Sequence, residues 1–535
     1  MAFLVKLPPC VLFEDEHLLV VEKPAGLNTH SPSPTAGEGL YEWLKNREPR
    51  WANLAIIHRL DKVTSGVMVF GKTGLANRSL TEQFTERLVE KRYRFLTTKI
   101  PSKKQFTVCS KLGRQGEKYG VSAAGELAET EFTYLGRHGE FHSFEAKPRT
   151  GRTHQIRAHA EEAGIPILGD ALYGGEKFGR VCLHARELGF KHPATGEGVR
   201  FVAEPDFERP QWRALRETLI EGELTDAYRV IHGAADGWPG LYIERWGEYL
   251  LCETERALGE AEKSFVREVF ESSGCRGAFH KMLDRQVRKS DLESASPKLL
   301  FGAEPPEWFE ARENGVGYQI SFRQGYSVGL FLDQRENRRR LLTGHVGAGF
   351  GLWGGKLAGK EVLNTFAYTC GFSVCAGLAG ARTTSLDLSK KYLDWGRRNF
   401  ELNGMNPAEH DFIYGDVFDW IRRLGKKGRK FDLIIVDPPT FSQNKVSGIF
   451  RAEKDFQKLV NETAALLKPA GVLFLSTNAA RLDADDFLRE SRETISAHGK
   501  IERSLYSPQP FDFPITREEA GYLKTGWFQL RLALT

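Results

Sequence analysis

From residue 11 to about 205, short apolar runs alternate with turn residues. VLFEDEHLLVVEKPAG reads as two strands around an acidic turn, ended by Pro24 and Gly26. From Thr73 to Lys91 apolar residues recur at helical spacing among charges, which predicts a helix. YRFLTTKI then predicts a strand, and THQIRAHAEEAG a helix that stops at Gly164 with Pro166 beyond it. This order is mixed α+β. Residues 206–225 read as a connector with helical character. A compact block follows over 226–312, where ADGWPG is a turn between two strand-like runs, and GYQISFRQGYSVGLFLD predicts a hairpin.

Beyond residue 360 the pattern changes. KEVLNTF, TTSLDLS, FDLIIVDPP and GVLFLST predict strands, and the stretches between them, such as KKYLDWGRRNFELNG, predict helices. Such alternation implies a doubly wound sheet. No internal repeat or low-complexity tract links the halves. We divide the chain into 1–215, 216–315 and 316–535, the last with an N-terminal β-hairpin.

Composition narrows this picture only slightly. In 535 residues, 41% are hydrophobic and 27% charged, enough for each half to bury its own core. A formal net charge of +5 permits a polyanionic partner without requiring one. Seven cysteines, at 10, 109, 182, 252, 275, 370 and 375, form no CxxC pair; a scattered, odd set suits reduced thiols in a cytoplasm. The start, MAFLVKLPPC, is broken by Pro8 and Pro9 and makes a poor signal peptide, and no apolar run approaches 18 residues. The expectation is a cytoplasmic protein without a membrane span.

The first candidate chemistry is His58-Arg59-Leu60-Asp61-Lys62-Val63-Thr64-Ser65-Gly66, a carboxylate between two apolar runs. Alone, Asp61 could equally be a turn residue satisfied by the neighbouring bases. Two further stretches change the balance: VEKRYRF, containing Tyr93, and a polar run that places Arg149, Arg152, His154, Gln155 and Arg157 within nine positions, a cluster suited to phosphate and base contacts. His154 and His159 near Glu161, Glu162 and Asp170 make a poor metal set, because the histidines are five apart and HExxH is absent; no metal is expected.

HRLDKVTSG, the Tyr93 segment, GRTHQIRAH with PILGDALYG, and LHARELGFKHPATGE resemble the RluA-type pseudouridine synthases, in order across 11–205. That resemblance implies an α+β fold with a mostly antiparallel sheet, and conversion of uridine in RNA to its carbon-linked isomer without cofactor or metal. It makes Asp61 the essential carboxylate, attacking the sugar or base or removing a sugar proton. Tyr93 would pack on the uracil and help remove the proton from ring carbon 5. Arg157 would pair with Asp61 and keep it ionised. Arg59, Arg149, Arg152, His154 and Gln155 would bind RNA or shape the pocket, and a buried uridine would have to be flipped out of its stack. The pattern starts almost at Met1, so no small RNA-binding domain is expected before it.

The second candidate lies in the alternating half. VLNTFAYTCGFSVCAGLAGA is a strand, a turn at Gly371 and a small-residue helix, where backbone can approach a ligand. Asp387 ends the next strand, where an acid can accept ribose hydroxyls. Asp416 follows a third strand, and Asp437, Pro438 and Pro439 end a fourth. GxGxxG is missing, which argues against a dinucleotide. ADGWPGLYIERWG, VGLFLDQRENRR, VLNTFAYTCGF, LDLSKKYLDWGRRNFELNG and VDPPTF resemble the RlmI/RlmK-type ribosomal RNA methyltransferases across 226–535. The resemblance implies a small RNA-binding-like α/β domain, then a Rossmann-like class I methyltransferase using S-adenosylmethionine. Asn364, Phe366, Tyr368, Gly371, Asp387 and Asp416 would line the cofactor pocket, Asp437, Pro438 and Pro439 would face the target base, and Phe331, Asp333 and Arg335 would help close the site.

A cysteine nucleophile, which 5-methylcytosine formation usually needs, is missing from both VDPPTF and FLSTNAARLD, where Thr477 and Asn478 stand after the strand. Relatives that make 7-methylguanosine also carry an asparagine there and share the YLxW phrase of Tyr392–Trp395, so the expected acceptor is a guanine ring nitrogen, which needs positioning rather than covalent catalysis. The expectation is a bifunctional enzyme acting on large-subunit ribosomal RNA. Transfer RNA, a 5-methylcytosine product, and one half serving only to dock RNA are the alternatives. The basic runs KKGRK near 426 and RENRRR near 335 are either phosphate contacts or solvated faces.

Overall fold

Leu18–Lys23 and Ser65–Gly71 are the most apolar strands of the first half, and they pair antiparallel inside an eleven-stranded sheet. The computed structural model describes residues 6–36, 39–283, 296–325, 327–444 and 448–532. Along this sheet the order is Val11–Glu14, Leu18–Lys23, Ser65–Gly71, Leu183–Lys191, Glu90–Thr97, Phe141–Pro148, Glu126–His138, Gln105–Gln115 and Lys118–Val121. Its described pairings are antiparallel except one, where His184 and Ala185 run beside Ser65 and Gly66. The Asp61 loop enters the sheet at that parallel seam.

The helix expected over Thr73–Lys91 is shorter. It spans Gly74–Thr85, with the Thr73 hydroxyl accepting the Ala76 N–H at its start. Arg87 then takes a left-handed φ of 61°, and Glu90 and Lys91 already belong to the strand Glu90–Thr97. The helix predicted over 153–164 is Gln155–Glu162.

Ala227–His232, Leu241–Trp246, Tyr249–Thr254, Gly277–Met282 and Lys298–Gly302 form a five-stranded sheet, with the helix Glu260–Ser273 as a crossover. The hairpin that follows is displaced from its expected place at 317–333. Phe309–Glu313 pairs with Val316–Ile320 around Asn314-Gly315, both at positive φ, the two-residue turn that matches strand twist. A cut at 316 would therefore separate two paired strands.

The last sheet has seven strands in the order Asp411–Tyr414, Arg382–Asp387, Glu361–Thr365, Phe431–Val436, Leu467–Thr477, Lys524–Leu532 and Gly499–Ser507. The first five are parallel; Lys524–Leu532 runs antiparallel to both neighbours. Alternating residues serve two cores: Leu433 and Ile435 pack on one face, Ile434 and Val436 on the other. The strand order reverses beside Glu361–Thr365, which opens a crevice at the carboxyl ends.

The halves are joined by buried charges. Arg47, at the end of the helix Leu40–Arg47, pairs with Glu221 and Glu336, and Arg339 pairs with Glu48 and donates to the Arg47 carbonyl. Arg216 holds Asp236 and the Asp512 carbonyl. The run RENRRR is thus no phosphate-binding face. Its helix, Arg335–Thr343, spends Arg335 on Asp512, Arg338 on Glu313 and Arg339 on Glu48. Among the described residues no helix is long and apolar enough to cross a membrane, and no group of three or more His, Cys, Asp or Glu is placed to hold a metal.

Two candidate active sites

Asp61 lies on the loop between Ala55–Ile56 and Ser65–Gly71, and the loop is held from both sides. Beneath it the buried Lys23 ammonium donates to the carbonyls of Pro24 (2.9 Å), Leu27 (2.7 Å) and Lys62 (3.3 Å). Burial pushes this lysine down to about 7, and the neighbouring Asp61 carboxylate opposes the shift. Thr29 closes the other side, accepting the Leu60 N–H and donating to the Leu60 carbonyl. Sequence reasoning missed Lys23; its place just before Pro24, at the end of an apolar strand, was the available signal.

The loop borders a cavity of about 530 Å³, lined by Arg59, Asp61, Arg87, Lys91, Tyr93, Arg149, Arg152, His154, Gln155 and Arg157 among others. Six of these are cations and only Asp61 is a carboxylate, so the cavity suits an anionic chain with one acid at its base. Tyr93 lies on Glu90–Thr97; burial and the Asp61 charge raise its phenol well above the ordinary range, so it stays protonated.

Arg157 approaches Asp61, with Nη1 3.9 Å from Oδ2, but its main partner is another acid. Nε and Nη2 donate to the buried Asp170 at 2.6 and 2.8 Å, and the guanidinium lies over the Tyr173 ring. The expected Arg157–Asp61 pair is therefore the looser edge of an arginine fixed by Asp170. His154 takes a left-handed φ of 55° at the start of its helix and shares a hydrogen bond with Tyr173 at 2.9 Å. Of the two expected roles for Gln155, RNA contact or shaping the pocket, its hydrogen bonds favour the second: its amide oxygen accepts from Thr150 and the Arg152 N–H, and its nitrogen donates to Thr130 and the Glu129 carbonyl. Arg149 and Arg152 reach the cavity while paired with Glu131 and Glu126, and Arg59 donates to Thr153.

The second cavity, about 400 Å³, opens at the crevice of the seven-stranded sheet. Phe331, Asp333, Phe366, Tyr368, Asp387, Asp437, Pro438 and Pro439 all line it, as does Asn478. Phe366, Tyr368 and Cys370 have φ of 56°, 49° and 64°, so this turn holds three non-glycine residues in the left-handed region, each costing roughly 1–2 kcal/mol. The turn aims the Tyr368 N–H at Asp387 (2.8 Å), which also accepts the Ser389 N–H. Burial raises the Asp387 carboxyl, and these backbone donors oppose it.

Four expected residues lie elsewhere. Asn364 is buried and donates to Ser373 at 2.9 Å, tying its strand to the following helix. Gly371 faces packing: an added Cβ would stand 2.9 Å from Leu330. Asp416 caps the helix Val417–Lys426 by accepting the Asp419 N–H, and it is not part of the cavity lining. Arg335 turns away to Asp512. Gln334, which sequence reasoning passed over within DQR, does reach in and donates to Asp437 (3.2 Å) and Ser476 (2.8 Å).

Asp437 is the most perturbed acid of this site. Burial pushes it up to about 6, the nearby Asp333 charge adds to this, and hydrogen bonds from Ser476 and Gln334 oppose it. Asp333 is itself raised by burial and accepts the Tyr522 hydroxyl at 3.0 Å. No cysteine lines the cavity: Cys370 is buried at its turn, and Cys375 packs against Tyr318 with a 3.2 Å contact.

A half-buried acid at the tip of the second parallel strand, an Asp-Pro-Pro at the fourth and a strained turn between them fit a nucleoside-bearing methyl donor and define a class I methyltransferase half; a lone carboxylate in a cation-lined cavity marks the other half as a domain for a polyanionic substrate. The chain belongs to the S-adenosylmethionine-dependent methyltransferase family, whose model matches residues 229–528, and residues 17–162 match the RNA pseudouridylate synthase model. It is 31% identical over 320 residues to the "Ribosomal RNA large subunit methyltransferase I" of Aliivibrio fischeri (strain MJ11), covering 59% of this chain and 77% of that protein. It is 32% identical over 354 residues to the "Ribosomal RNA large subunit methyltransferase" of Deinococcus radiodurans, covering 65% and 83%. Among solved structures, the methyltransferase SMU.776, complexed with SAH, matches with a TM-score of 0.50 and 27% identity over 64% of this chain and 88% of that one. The protein is thus a pseudouridine synthase domain fused to an S-adenosylmethionine-dependent methyltransferase domain.

Proposed function

We propose that this chain carries out two modifications of large-subunit ribosomal RNA in the cytoplasm: uridine to pseudouridine in the first cavity, and methylation of guanine N7 in the second. The observation that carries the reading is the coexistence of two complete cavities in one chain, each with its own acid, Asp61 and Asp437.

In the first, Asp61 is the group that breaks or helps break the glycosidic bond, by attack or by proton removal. Arg157, immobilised by Asp170, keeps positive charge beside it, and Tyr93 supports the detached uracil while it turns. Arg59, Arg149 and Arg152 hold the RNA backbone.

In the second, bound S-adenosylmethionine supplies an electrophilic methyl group. Asp387 grips the ribose, and the strained turn at Phe366–Cys370 presents backbone and rings to the nucleoside. Methylation of N7 leaves a cationic purine and releases no proton. It therefore calls for nearby negative charge rather than a nucleophile or a strong base, which suits Asp437 and Asp333 and a cavity without cysteine. Asn478, which lines the same cavity, would read the base edge, and Gln334, engaged with Asp437, Ser476 and Asn337, would orient Asp437.

The test is nucleoside mass spectrometry, with mapping of modified positions, on RNA from a deletion strain complemented with wild-type, Asp61→Asn or Asp437→Asn protein. One pseudouridine should disappear with Asp61→Asn and one 7-methylguanosine with Asp437→Asn. Loss of 5-methylcytosine, or of marks confined to transfer RNA, would overturn the corresponding half.

A further inference from the structure

We propose that Lys91 and Arg87 form a seat for an RNA phosphodiester next to the nucleotide whose base lies over Tyr93, a proposal that rests on the uridine-isomerising reading of this cavity.

Four observations converge on this pair. Both residues line the first cavity. Three other cations there already have carboxylate partners: Arg149 has Glu131, Arg152 has Glu126 and Arg157 has Asp170. Lys91 has only the Thr150 carbonyl at 3.3 Å, and among the described residues neither Lys91 nor Arg87 has an ion-pair partner. Gly151 leaves room beside the ammonium, since a Cβ built there would meet nothing nearer than Lys91 Nζ at 4.0 Å.

The electrostatics run the same way. A partly buried ammonium that faces another cation and no acid is held at a cost, and burial and Arg87 together lower the Lys91 pKa. An anion between the two would reverse that cost. The backbone explains the pairing. Lys91 and Tyr93 are two apart on one strand, so they face the cavity from the same side about 7 Å apart, a spacing comparable to that between a nucleobase and its own phosphate. Arg87 is swung toward the rim by its left-handed φ after the helix Gly74–Thr85.

The test uses the full-length protein and two readouts. The first is fluorescence anisotropy with a 12-nucleotide RNA carrying one uridine, with either natural linkages or neutral methylphosphonates flanking that uridine. Wild type should bind the neutral probe about tenfold more weakly, whereas the Lys91→Ala/Arg87→Ala double variant should bind both probes equally, Lys91→Ala alone should narrow the gap and Lys91→Arg should behave like wild type. The second readout is pseudouridine formation in unmodified large-subunit ribosomal RNA at several KCl concentrations. Lys91→Ala and Arg87→Ala should each raise KM at near-constant kcat and flatten the salt dependence by about one counter-ion. S-adenosylmethionine affinity at the other cavity reports that each variant is folded.

Two results overturn the seat: a Lys91→Ala/Arg87→Ala protein that still discriminates the two probes, or a Lys91→Ala protein that loses kcat at unchanged KM and salt slope. If wild type makes no pseudouridine yet discriminates the probes and the double variant does not, the phosphate seat stands and the isomerase reading falls.

Discussion

Asp437 is half-buried beside Asp333, Gln334 and Ser476, and its pKa of about 6 has consequences for both activity and stability. The folded value lies above that of an unfolded aspartate, so folding takes up a proton. The group therefore favours folding below about pH 4 and opposes it as pH rises through 6. Asp437→Asn should raise stability at pH 8 by about 1–3 kcal/mol, read by chemical denaturation, while methyl transfer falls about a hundredfold or more. The methyltransferase rate of the wild type should show an acid limb near pH 6, because the carboxylate form is the one placed to stabilise a cationic purine. Gln334 donates to this carboxylate, so Gln334→Ala should move that limb to higher pH. At the other site, Asp61→Asn should lower pseudouridine formation by at least about a thousandfold with methylation retained, measured on the same RNA by mass spectrometry.

At the scale of elements, the active loops rest on buried cations that satisfy backbone. Lys23 gathers three carbonyls under the Asp61 loop, and replacing it with alanine would leave all three without that donor. Lys23→Ala should destabilise the protein by about 2–4 kcal/mol and lower kcat for pseudouridine formation more than it raises KM. The helix Arg335–Thr343 plays the matching part behind the methyl site. Arg338 makes a two-pronged pair with Glu313 of the hairpin and also donates to the Phe331 carbonyl, so the segment bearing Phe331, Asp333 and Gln334 is fixed from behind. Glu313→Ala leaves that arginine buried without its acid and should cost about 3–5 kcal/mol in denaturant unfolding.

For the whole molecule, the decisive feature is the ionic seam. Arg47 and Glu48 belong to the pseudouridine synthase half, Glu221 to the connector, and Glu336 and Arg339 to the helix Arg335–Thr343 behind the methyl site. All are well shielded from water, so their pairing is little screened by salt. A double-mutant cycle on Arg47→Ala and Glu336→Ala should give a coupling of about 1–3 kcal/mol, and a value near zero would mean that the two halves are merely tethered.

The sequence by itself determined the order of elements, the two families of motif, and most of the residues around each cavity. Hydrophobic periodicity is local, and the acids Asp387 and Asp437 stand at the strand ends where the string places them. Tertiary structure alone decided which polar groups remained for chemistry. Gln155, Arg335 and Asp416 read as site residues in the string, and the fold engages them with Thr130, Asp512 and a helix N-terminus. Conversely, Gln334 gains its role only through Asp437 and Ser476, far away in the chain, while Lys23 and Asp170 gain theirs from three loop carbonyls and from Arg157. A hydrogen-bonding group can be shared only a few ways, and which partner takes it depends on what the fold brings within about 3 Å.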